Sequence, residues 1–298
     1  LKKKDKRLKK KKMIIIRFLR SLLVFPIILL IEIIKIYNTL LSKLDPKNHN
    51  TFFEEYLQNI IDKKISKKIY LTKKKFIRLH IPTKISSFRA KTFFSKEPDT
   101  INWMSKNGKA NKVMFDIGAN VGLYSLYYAK KFHGKVYAFE PSIRNLDLLT
   151  RNIKLNGLNN KISIFSNPLI DKNRMGEFFQ HNLTGGLAGA TFDSNFTKNK
   201  IIQKTSFKEK ISCFNTYGLS LDNLFINKIL PVPDLIKIDV DGNEFQILKG
   251  CTKILSQRKK MHILIETRKN TSKKVNDFLQ KYKFKFISRR HTNYVWQK

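Results

Sequence analysis

One short segment constrains the fold of this chain more than any other, because an apolar run at Val113–Ile117 passes directly into the turn Gly118–Gly122. The run predicts a buried strand, and residues from about 122 to 132 predict the helix that follows it. Glycines in such a turn allow the backbone to bend tightly and to approach a ligand closely. Open α/β sheets bind ligands at the carboxyl ends of their strands, beside helix N-termini. The segment therefore predicts a ligand site formed by Asp116, Gly118, Asn120 and Gly122.

The class of ligand is indicated by Glu140, which lies at the end of the next predicted strand. A carboxylate at that place can accept hydrogen bonds from both hydroxyls of a ribose. Dinucleotide sites follow the pattern Gly-x-Gly-x-x-Gly, but here Asn120 stands where the glycine that admits a pyrophosphate is needed. Asp116 also suits a ligand with a cationic amino-acid moiety better than one with two phosphates. We therefore predict S-adenosylmethionine (SAM) as the cofactor, with a turn that binds no ligand as the alternative.

Strands and helices alternate from residue 113 onwards, which indicates an α/β fold with a mostly parallel sheet and helices on both faces. The predicted strands are Val113–Ile117, Val136–Phe139, Lys161–Phe165, Leu235–Val240, His262–Glu266, Phe284–Ser288 and Asn293–Gln297. The predicted helices between them are residues 122–132, Arg144–Asn156, Glu244–Lys249 and Ser272–Tyr282. Upstream, we predict two short strands, Lys68–Thr72 and Phe76–Ile81, and a helix at Asp99–Lys106.

A polar stretch at residues 173–215, rich in Asn, Thr, Gly and Lys, interrupts this alternation. A loop of that length in a compact domain is usually functional or disordered, so we predict a loop or lid there, with a simple flexible turn as the alternative for residues 183–190. The chain is divided in the prediction into a basic tail at 1–12, an apolar and amphipathic helical segment at 13–47, an N-terminal extension at 48–112 and a SAM-dependent methyltransferase domain at 113–298.

The N-terminal helical segment has an uncharged run of only 11 residues, Ser21–Ile31, followed by polar residues at helical spacing from Glu32. A spanning helix needs about 20 mostly apolar residues, so we predict a segment at 13–44 that lies on the membrane surface. A helix packed on the catalytic domain is the alternative. The protein is then expected in the cytoplasm, peripherally on the cytoplasmic face of a membrane. The sequence opens at Leu1 and reaches Met13 only after more lysines, so a fragment, a cleaved product or a misplaced start codon is expected.

The formal net charge of +38 raises the question of nucleic-acid binding. Residues 1–20 carry eight Lys and three Arg against one Asp, and the remaining charge is spread along a chain rich in Ile, Asn and Phe. Those residue types share AT-rich codons with Lys, and a basic binding site must lie on one side of the molecule. Nucleic acid is therefore disfavoured as a partner. Two distant cysteines, Cys213 and Cys251, match neither a metal pair nor a disulfide framework.

Several motifs resemble those of the FkbM family of SAM-dependent methyltransferases, and they occur in the family's order over residues 68–298. They are Asp116–Ser125, Ala138–Pro141, Asn152–Gly157, Ser220–Leu224 and Ile236–Glu244, with Lys96–Trp103 upstream. The resemblance implies a class I methyltransferase fold, a seven-stranded sheet whose last strand is antiparallel. It also implies SAM as the methyl donor and an oxygen acceptor, often on a sugar, a glycan or a polyketide. Residues 173–215 conform less well, so the acceptor pocket is not defined by the resemblance.

Three carboxylates after the predicted fourth strand are candidates for catalysis. Methyl transfer from a sulfonium is an in-line displacement that depends on alignment, and a hydroxyl acceptor also needs a base. Strand alternation puts Asp239 and Asp241 on one face, at the ligand end of the sheet. We therefore predict Asp239 as the base or the group that orients the acceptor, with Asp241 and Glu244 assisting it.

Simpler roles remain open for these and neighbouring acidic residues. Asp241 could cap the helix that begins at Glu244, and Glu266 could merely end the fifth strand. Asp171 is placed to meet the adenine amino group, or equally to form a turn. The spacing of Asp239, Asp241 and a third carboxylate is not distinctive of a divalent cation, so we predict no metal.

The functional prediction is therefore SAM-dependent O-methylation of a hydroxyl on a glycan, a glycolipid or a secondary metabolite, with a lipid-linked acceptor favoured if the N-terminal segment binds membrane. Two alternatives are kept, a nucleic-acid methyltransferase and a basic binding protein that retains the fold without catalysis. Nucleic-acid amino-methyltransferases carry Asn/Asp-Pro-Pro-Tyr/Phe after the fourth strand. This chain has Asp-Val-Asp-Gly there, and its Asn167-Pro168 lacks the second proline and the aromatic residue.

Overall fold

A seven-stranded sheet organises the computed structural model, which describes residues 22, 25–26, 28–37, 39–40, 43, 49–181, 185–193, 211–257, 259–267 and 269–298. Its strands are β3 (Val113–Ile117), β4 (Lys135–Phe139), β5 (Ile162–Phe165), β9 (Leu235–Ile238), β10 (His262–Glu266), β11 (Lys285–Arg290) and β12 (Asn293–Gln297), in the spatial order β11-β12-β10-β9-β3-β4-β5. Only β12 runs antiparallel to its neighbours, β10 and β11. Strand order reverses between β3 and β9, and the carboxyl ends of these two strands form the cleft where a ligand is expected.

Alternation along the strands gives the sheet two apolar faces. In β3, Met114 joins the core on one face, and Phe115 and Ile117 join the core on the other. Helices α4 (Leu123–Phe132) and α5 (Ile143–Asn156) pack on the first face. The second face is covered by α6 (Leu221–Ile226), α7 (Glu244–Lys249), α8 (Thr252–Leu255) and α9 (Lys269–Lys281). The antiparallel last strand and the helices on both faces confirm the predicted class I fold.

An N-terminal hairpin of β1 (Ser66–Tyr70) and β2 (Phe76–His80) packs against α5. The side chain of Asn152 joins the hairpin to the glycine turn, because its Oδ1 accepts from the His80 backbone N–H at 2.7 Å and its Nδ2 donates to the Val121 carbonyl at 2.8 Å. Asn152 is fully buried, so these bonds are shielded from water. The hairpin therefore supports the predicted ligand turn from behind.

Two helices follow the hairpin, α2 (Lys84–Lys96) and α3 (Pro98–Asn107). Thr83 and Ser86 form a capping box at the start of α2, and Pro98 occupies the first turn of α3, where its missing N–H has no partner to lose. Helix α3 confirms the predicted helix at 99–106. Helix α2 was not predicted, although Thr83-x-x-Ser86 is a recognisable start signal.

The prediction of a loop over residues 173–215 was wrong in part. Strands β6 (Arg174–His181), β7 (Thr191–Phe192) and β8 (Ile211–Gly218) form a separate antiparallel sheet in the order β7-β6-β8. In β8, Cys213, Asn215 and Tyr217 are exposed and alternate with less exposed residues, whereas β6 has Met175 61% exposed and Phe178 to Gln180 buried. The polar composition therefore belongs to strands with one solvated face. Residues 185–190 lie between β6 and β7 outside regular structure.

The chain divides into two compact units, residues 1–61 and 62–298. Residues 62–112 of the predicted extension thus share a unit with the sheet. In the first unit, the described residues between 22 and 43 are helical. Helix α1 (His49–Lys64) begins in the first unit and ends three residues past its boundary at Ile61. No helix within the described ranges is long and apolar enough to cross a membrane. The predicted basic tail, residues 1–12, lies outside the described residues.

Candidate active site

The turn after β3 brings three strand ends together. Gly118, Asn120 and Gly122 all have positive φ angles, of 79°, 53° and 84°. The backbone N–H groups of Gly118 and Ala119 both donate to the Phe139 carbonyl at the end of β4, at 3.0 Å. On its other side, a Cβ at Gly118 would lie 2.0 Å from the backbone oxygen of Asp239, after β9. The turn therefore lies directly against Asp239, the residue predicted to be catalytic, and the space between them admits only glycine at position 118.

Glu140 lies beneath this turn and is 5% exposed. Its Oε2 accepts the Asn120 backbone N–H at 2.7 Å and its Oε1 accepts the Ser142 N–H at 2.9 Å, so the carboxylate is held at a fixed place. Burial raises the pKa of Glu140 to about 7, against hydrogen bonds from Ser142, Asn120 and Asn145 that favour the charged form. The predicted ribose carboxylate is therefore ordered before any ligand binds.

Residues 185–190, here called the strap, lie over the same end of the site. The Leu187 carbonyl accepts hydrogen bonds from the side-chain amides of Asn120, at 2.9 Å, and Asn145, at 3.2 Å. Arg89 of α2 donates to the Gly186 carbonyl at 2.6 Å. Gly186 and Gly189 have φ angles of 91° and 96°, which other residues rarely adopt. The strap thus corresponds to the part of the predicted loop that reaches the ligand site.

These elements enclose a cavity of about 400 Å³. Of the predicted site residues, Gly118, Asn120, Glu140, Asp239, Asp241 and Glu244 line it. Gly122 does not, and a Cβ there would meet Leu149 of α5 at 2.4 Å, so its role is close packing of α4 on α5. A cavity of this size lies in the range of small-molecule sites.

Asp116 is also absent from the cavity wall, because it is fully buried behind the turn. Its Oδ2 accepts the Ser125 hydroxyl at 2.6 Å, and its Oδ1 lies 3.7 Å from the ammonium group of Lys237. Complete burial raises the pKa of Asp116, and Lys237 and Ser125 oppose that shift. Asp116 therefore supports the site through Lys237, and the direct cofactor contact predicted for it does not follow from this position.

Asp171 also lies outside the cavity wall. Its carboxylate forms ion pairs with Arg174, at 2.8 Å, and with Lys249, at 3.7 Å, and it does not line the cavity. Asn167, Pro168 and Leu169, which follow β5 after Ser166, line the cavity. The contact of Asp171 with an adenine stays a prediction.

A cluster of charged groups lies at the end of β9. The Lys237 ammonium donates to Asp239 Oδ2 at 2.9 Å, is 1% exposed, and lies 4.8 Å from the centre of the Tyr124 ring. Burial lowers the pKa of Lys237, but the charges of Asp239 and Asp116 outweigh it and the net shift is upward. Lys237 is therefore a buried, charged lysine that fixes the Asp239 side chain, which keeps 30% of its surface exposed.

Two further carboxylates complete this cluster. Glu97, between α2 and α3, and Glu266, at the end of β10, each present an oxygen within 4.8 Å of the other and of Asp239. Within the described residues, this is the acidic group with metal-ligand spacing, and it contains neither Asp241 nor Glu244. Carboxylate oxygens suit hard cations in general, but here the Lys237 ammonium already pairs with Asp239.

Asp241 and Glu244 have mainly structural contacts. Asp241 Oδ2 accepts the Gly189 backbone N–H at 2.5 Å, which ties the strap to the β9 end of the site. The residue at the N-cap of α7 is Asn243, so the alternative role of Asp241 as the cap is wrong. Glu244 is buried in the first turn of α7 and accepts the Gly242 N–H at 3.0 Å. Strand β9 ends at Ile238, two residues earlier than predicted, yet Asp239 and Asp241 both reach the cavity.

Residues 116–286 match the family model described as the methyltransferase FkbM domain. Among curated relatives, hexuronic acid methyltransferase AglP of Haloferax volcanii is 26% identical over 160 residues, which are 53% of this chain and 58% of that protein. Methyltransferase sdnD of Sordaria araneosa is 27% identical over 160 residues, which are 48% of this chain and 62% of that protein. The chain thus spans less than two thirds of the length of the curated relatives it matches.

Among solved structures, methyltransferase FkbM from Methylobacillus flagellatus aligns with a TM-score of 0.44 and 14% identity. The alignment covers 73% of this chain and 56% of that one.

Proposed function

Because the chain belongs to the FkbM methyltransferase family, we propose that it transfers the methyl group of SAM to a hydroxyl group of a sugar, as part of a glycan, a glycolipid or a secondary metabolite. The observation that carries the proposal is the position of Glu140, which faces the cavity between the glycine turn and the strap and is held there by two backbone N–H groups. SAM supplies an electrophilic methyl group on a sulfonium, and the protein supplies binding, alignment and a base.

The residues of the cavity fit this cofactor. Glu140 presents a carboxylate to two ribose hydroxyls, and its oxygens retain lone pairs beyond those used by Asn120 and Ser142. The wall at Pro168 and Leu169 is apolar, as the face of an adenine requires. The glycine turn contacts Glu140 on one side and Asp239 on the other, which supports our assignment of the cofactor's amino-acid portion to the space beside the carboxylate cluster. We assign Gly118, Asn120 and Glu140 to cofactor binding.

In the same proposal, Asp239 orients the acceptor hydroxyl or takes its proton. Its backbone carbonyl adjoins the glycine turn at Gly118, and the residue lines the cavity. Asp241 and Glu244 assist indirectly, through the strap and the first turn of α7. An acceptor rich in hydroxyl groups suits this end of the cavity, because carboxylates are acceptors for O–H donors. The relative AglP acts on a hexuronic acid by its name, so a sugar acid is the first acceptor to test.

The cofactor assignment is tested by calorimetry with S-adenosylhomocysteine (SAH), which has the ribose of SAM without its positive charge. We expect Glu140→Gln to weaken SAH binding about 10- to 100-fold, since a hydrogen bond to a charged group contributes about 1.5–3 kcal/mol. In the wild type, affinity should fall as the pH decreases below about 7, because protonation removes acceptor lone pairs from Glu140. The limiting slope is about tenfold per pH unit, and the variant should lose it.

Two results would count against this proposal. Unchanged SAH affinity in Glu140→Gln would move the ribose site elsewhere. An absence of heat with both SAM and SAH would favour a binding protein that retains the fold without catalysis.

The acceptor is identified by a separate screen. Transfer of tritiated methyl groups from SAM is measured to hexuronic acids, to neutral hexoses and to their lipid-linked forms, because these acceptors differ in charge and in the presence of a lipid anchor.

We also propose that residues 13–44 hold the protein on the cytoplasmic face of a membrane, where a lipid-linked acceptor would be available. Support comes from the described apolar side chains between 22 and 40, which are helical and about half exposed; among them are Leu29 at 52%, Ile33 at 53% and Ile36 at 62%. Apolar side chains on an exposed helix bind the interfacial region of a bilayer, and nearby lysines favour anionic lipids.

Liposome flotation tests the membrane proposal. With phosphatidylglycerol-containing vesicles, we expect the full chain to float and a chain lacking residues 1–44 to remain below. The matched control is Leu29→Ser, Ile33→Ser and Ile36→Ser combined, which keeps every charge and should reduce flotation at least tenfold, because the apolar contact is lost. Equal flotation of all three proteins would rule out this segment as the membrane contact.

A further inference from the structure

The proposed function gives no role to two members of the carboxylate cluster, Glu97 and Glu266. Glu266 is the last residue of β10 and lines the cavity, and its Oε1 accepts the Thr292 hydroxyl at 3.0 Å. An oxygen of its carboxyl group lies within 4.8 Å of an oxygen of Asp239, and two carboxyl groups this close favour a state in which they share one proton. The other charged groups around the pair include Glu97, Lys96, Lys237 and Asp116.

The two carboxyl groups of this pair are not equivalent. Lys237 donates directly to Asp239 at 2.9 Å, whereas the hydrogen bond that Glu266 accepts comes from the uncharged Thr292. The ammonium group therefore stabilises negative charge on Asp239, and the shared proton lies on Glu266. Consistent with this contact pattern, burial and the neighbouring Asp239 raise the pKa of Glu266 to about 7, while Lys237 holds the pKa of Asp239 below its usual range against the effect of burial.

We propose that Glu266 is the catalytic residue that receives the proton of the acceptor hydroxyl, and that Asp239, fixed by Lys237, orients the acceptor. This inference rests on the proposed methyltransferase function. The acceptor O–H bond breaks and its proton passes to the deprotonated Glu266 carboxylate. The acceptor oxygen bonds to the methyl carbon, the carbon–sulfur bond breaks, and its electron pair remains on sulfur. Glu266 then releases the proton to solvent.

If Glu266 is the base, the number of protons that the protein releases on ligand binding should depend on the sulfonium charge of the cofactor. A positive charge bound beside the pair favours the deprotonated form of Glu266, and the neutral SAH does not. SAM and SAH share the ribose and the adenine, so any change at Glu140 is common to both. The difference between the two ligands therefore reports on groups near the sulfonium.

The test is calorimetry of SAM and SAH binding at pH 7 in buffers of different ionisation enthalpy, which counts protons released. We expect the wild type to release up to about half a proton more with SAM than with SAH, because a group with a pKa of about 7 is half protonated at that pH. Glu266→Gln should abolish the difference. Glu244→Gln, which removes another buried carboxylate of the same cavity, should retain it. Circular dichroism and SAH affinity verify that each variant is folded.

The outcomes separate this inference from the proposed function. If both ligands bind and release equal numbers of protons, the Glu266 assignment fails while cofactor binding stands. If Glu266→Gln keeps the difference, the proton belongs to another group and Glu266 is not the base. If neither ligand binds, the proposed function itself fails.

Discussion

Replacing Gly118 with alanine is expected to destabilise the protein by about 3 kcal/mol or more and to abolish SAM binding. The new Cβ would lie 2.0 Å from the Asp239 backbone oxygen and 2.9 Å from its carbonyl carbon. Backbone atoms at the end of a central strand cannot move aside as a flexible side chain can, so β3 and β9 must separate at the cavity. The positive φ of 79° adds roughly 1–2 kcal/mol of backbone strain for a residue with a Cβ.

Gly157 offers a matched control for this substitution. It also has a positive φ, of 62°, at the end of α5, but a Cβ there would meet no atom within 4 Å. Gly157→Ala should therefore cost only the strain, about 1 kcal/mol, and leave SAM affinity unchanged. Urea unfolding with calorimetry compares the two variants. Equal destabilisation would mean that the contact between the turn and Asp239 is not the reason for glycine at position 118.

The features that could be predicted from sequence are those encoded locally. The turn and the first strand are contiguous, and Glu140 follows its own strand directly, so strand periodicity alone places both at one edge of the sheet. The cluster around Asp239 is different, because Glu97 reaches it from between two helices and Glu266 from another strand. No local pattern relates Glu97 to Asp239, and their proximity exists only once the chain is folded.

The buried, paired position of Lys237 could have been predicted from the sequence of its strand. It stands between Ile236 and Ile238 in a buried strand, where a lysine needs a counter-charge, and its partner in the adjacent strand is Asp116. The position of Asp171 outside the cavity wall could not be predicted, because its ion pairs with Arg174 and Lys249 exist only in the folded chain. The sheet of β6, β7 and β8 was missed because β6 pairs with β8 residues that lie 30 to 44 positions further along the chain, a pairing that no local pattern shows.

Asp239→Asn is expected to lower turnover about 10²- to 10⁴-fold while SAM affinity changes little, the range seen when a positioned acid or base group is removed. Asparagine preserves the shape and can still accept a hydrogen bond from Lys237, but it removes the charge that orients the acceptor. The buried Lys237 ammonium pairs with two carboxylates, and the substitution leaves it only Asp116, at 3.7 Å, of those two. The free energy of unfolding should therefore decrease as well. Methyl transfer to the sugar found in the acceptor screen measures the first effect, and urea unfolding the second.

Asp241→Asn is the control, because Asp241 lines the same cavity but anchors the strap. The turnover of this variant should fall by less than that of Asp239→Asn. Turnover unchanged in Asp239→Asn would transfer the role to another carboxylate. A double variant, Asp239→Asn with Glu266→Gln, separates two interpretations of such losses. Residues that act as one unit give losses that do not add, so the double variant should be no slower than the worse single variant by more than a few-fold. Additive losses would instead mean that Asp239 and Glu266 act on the acceptor independently.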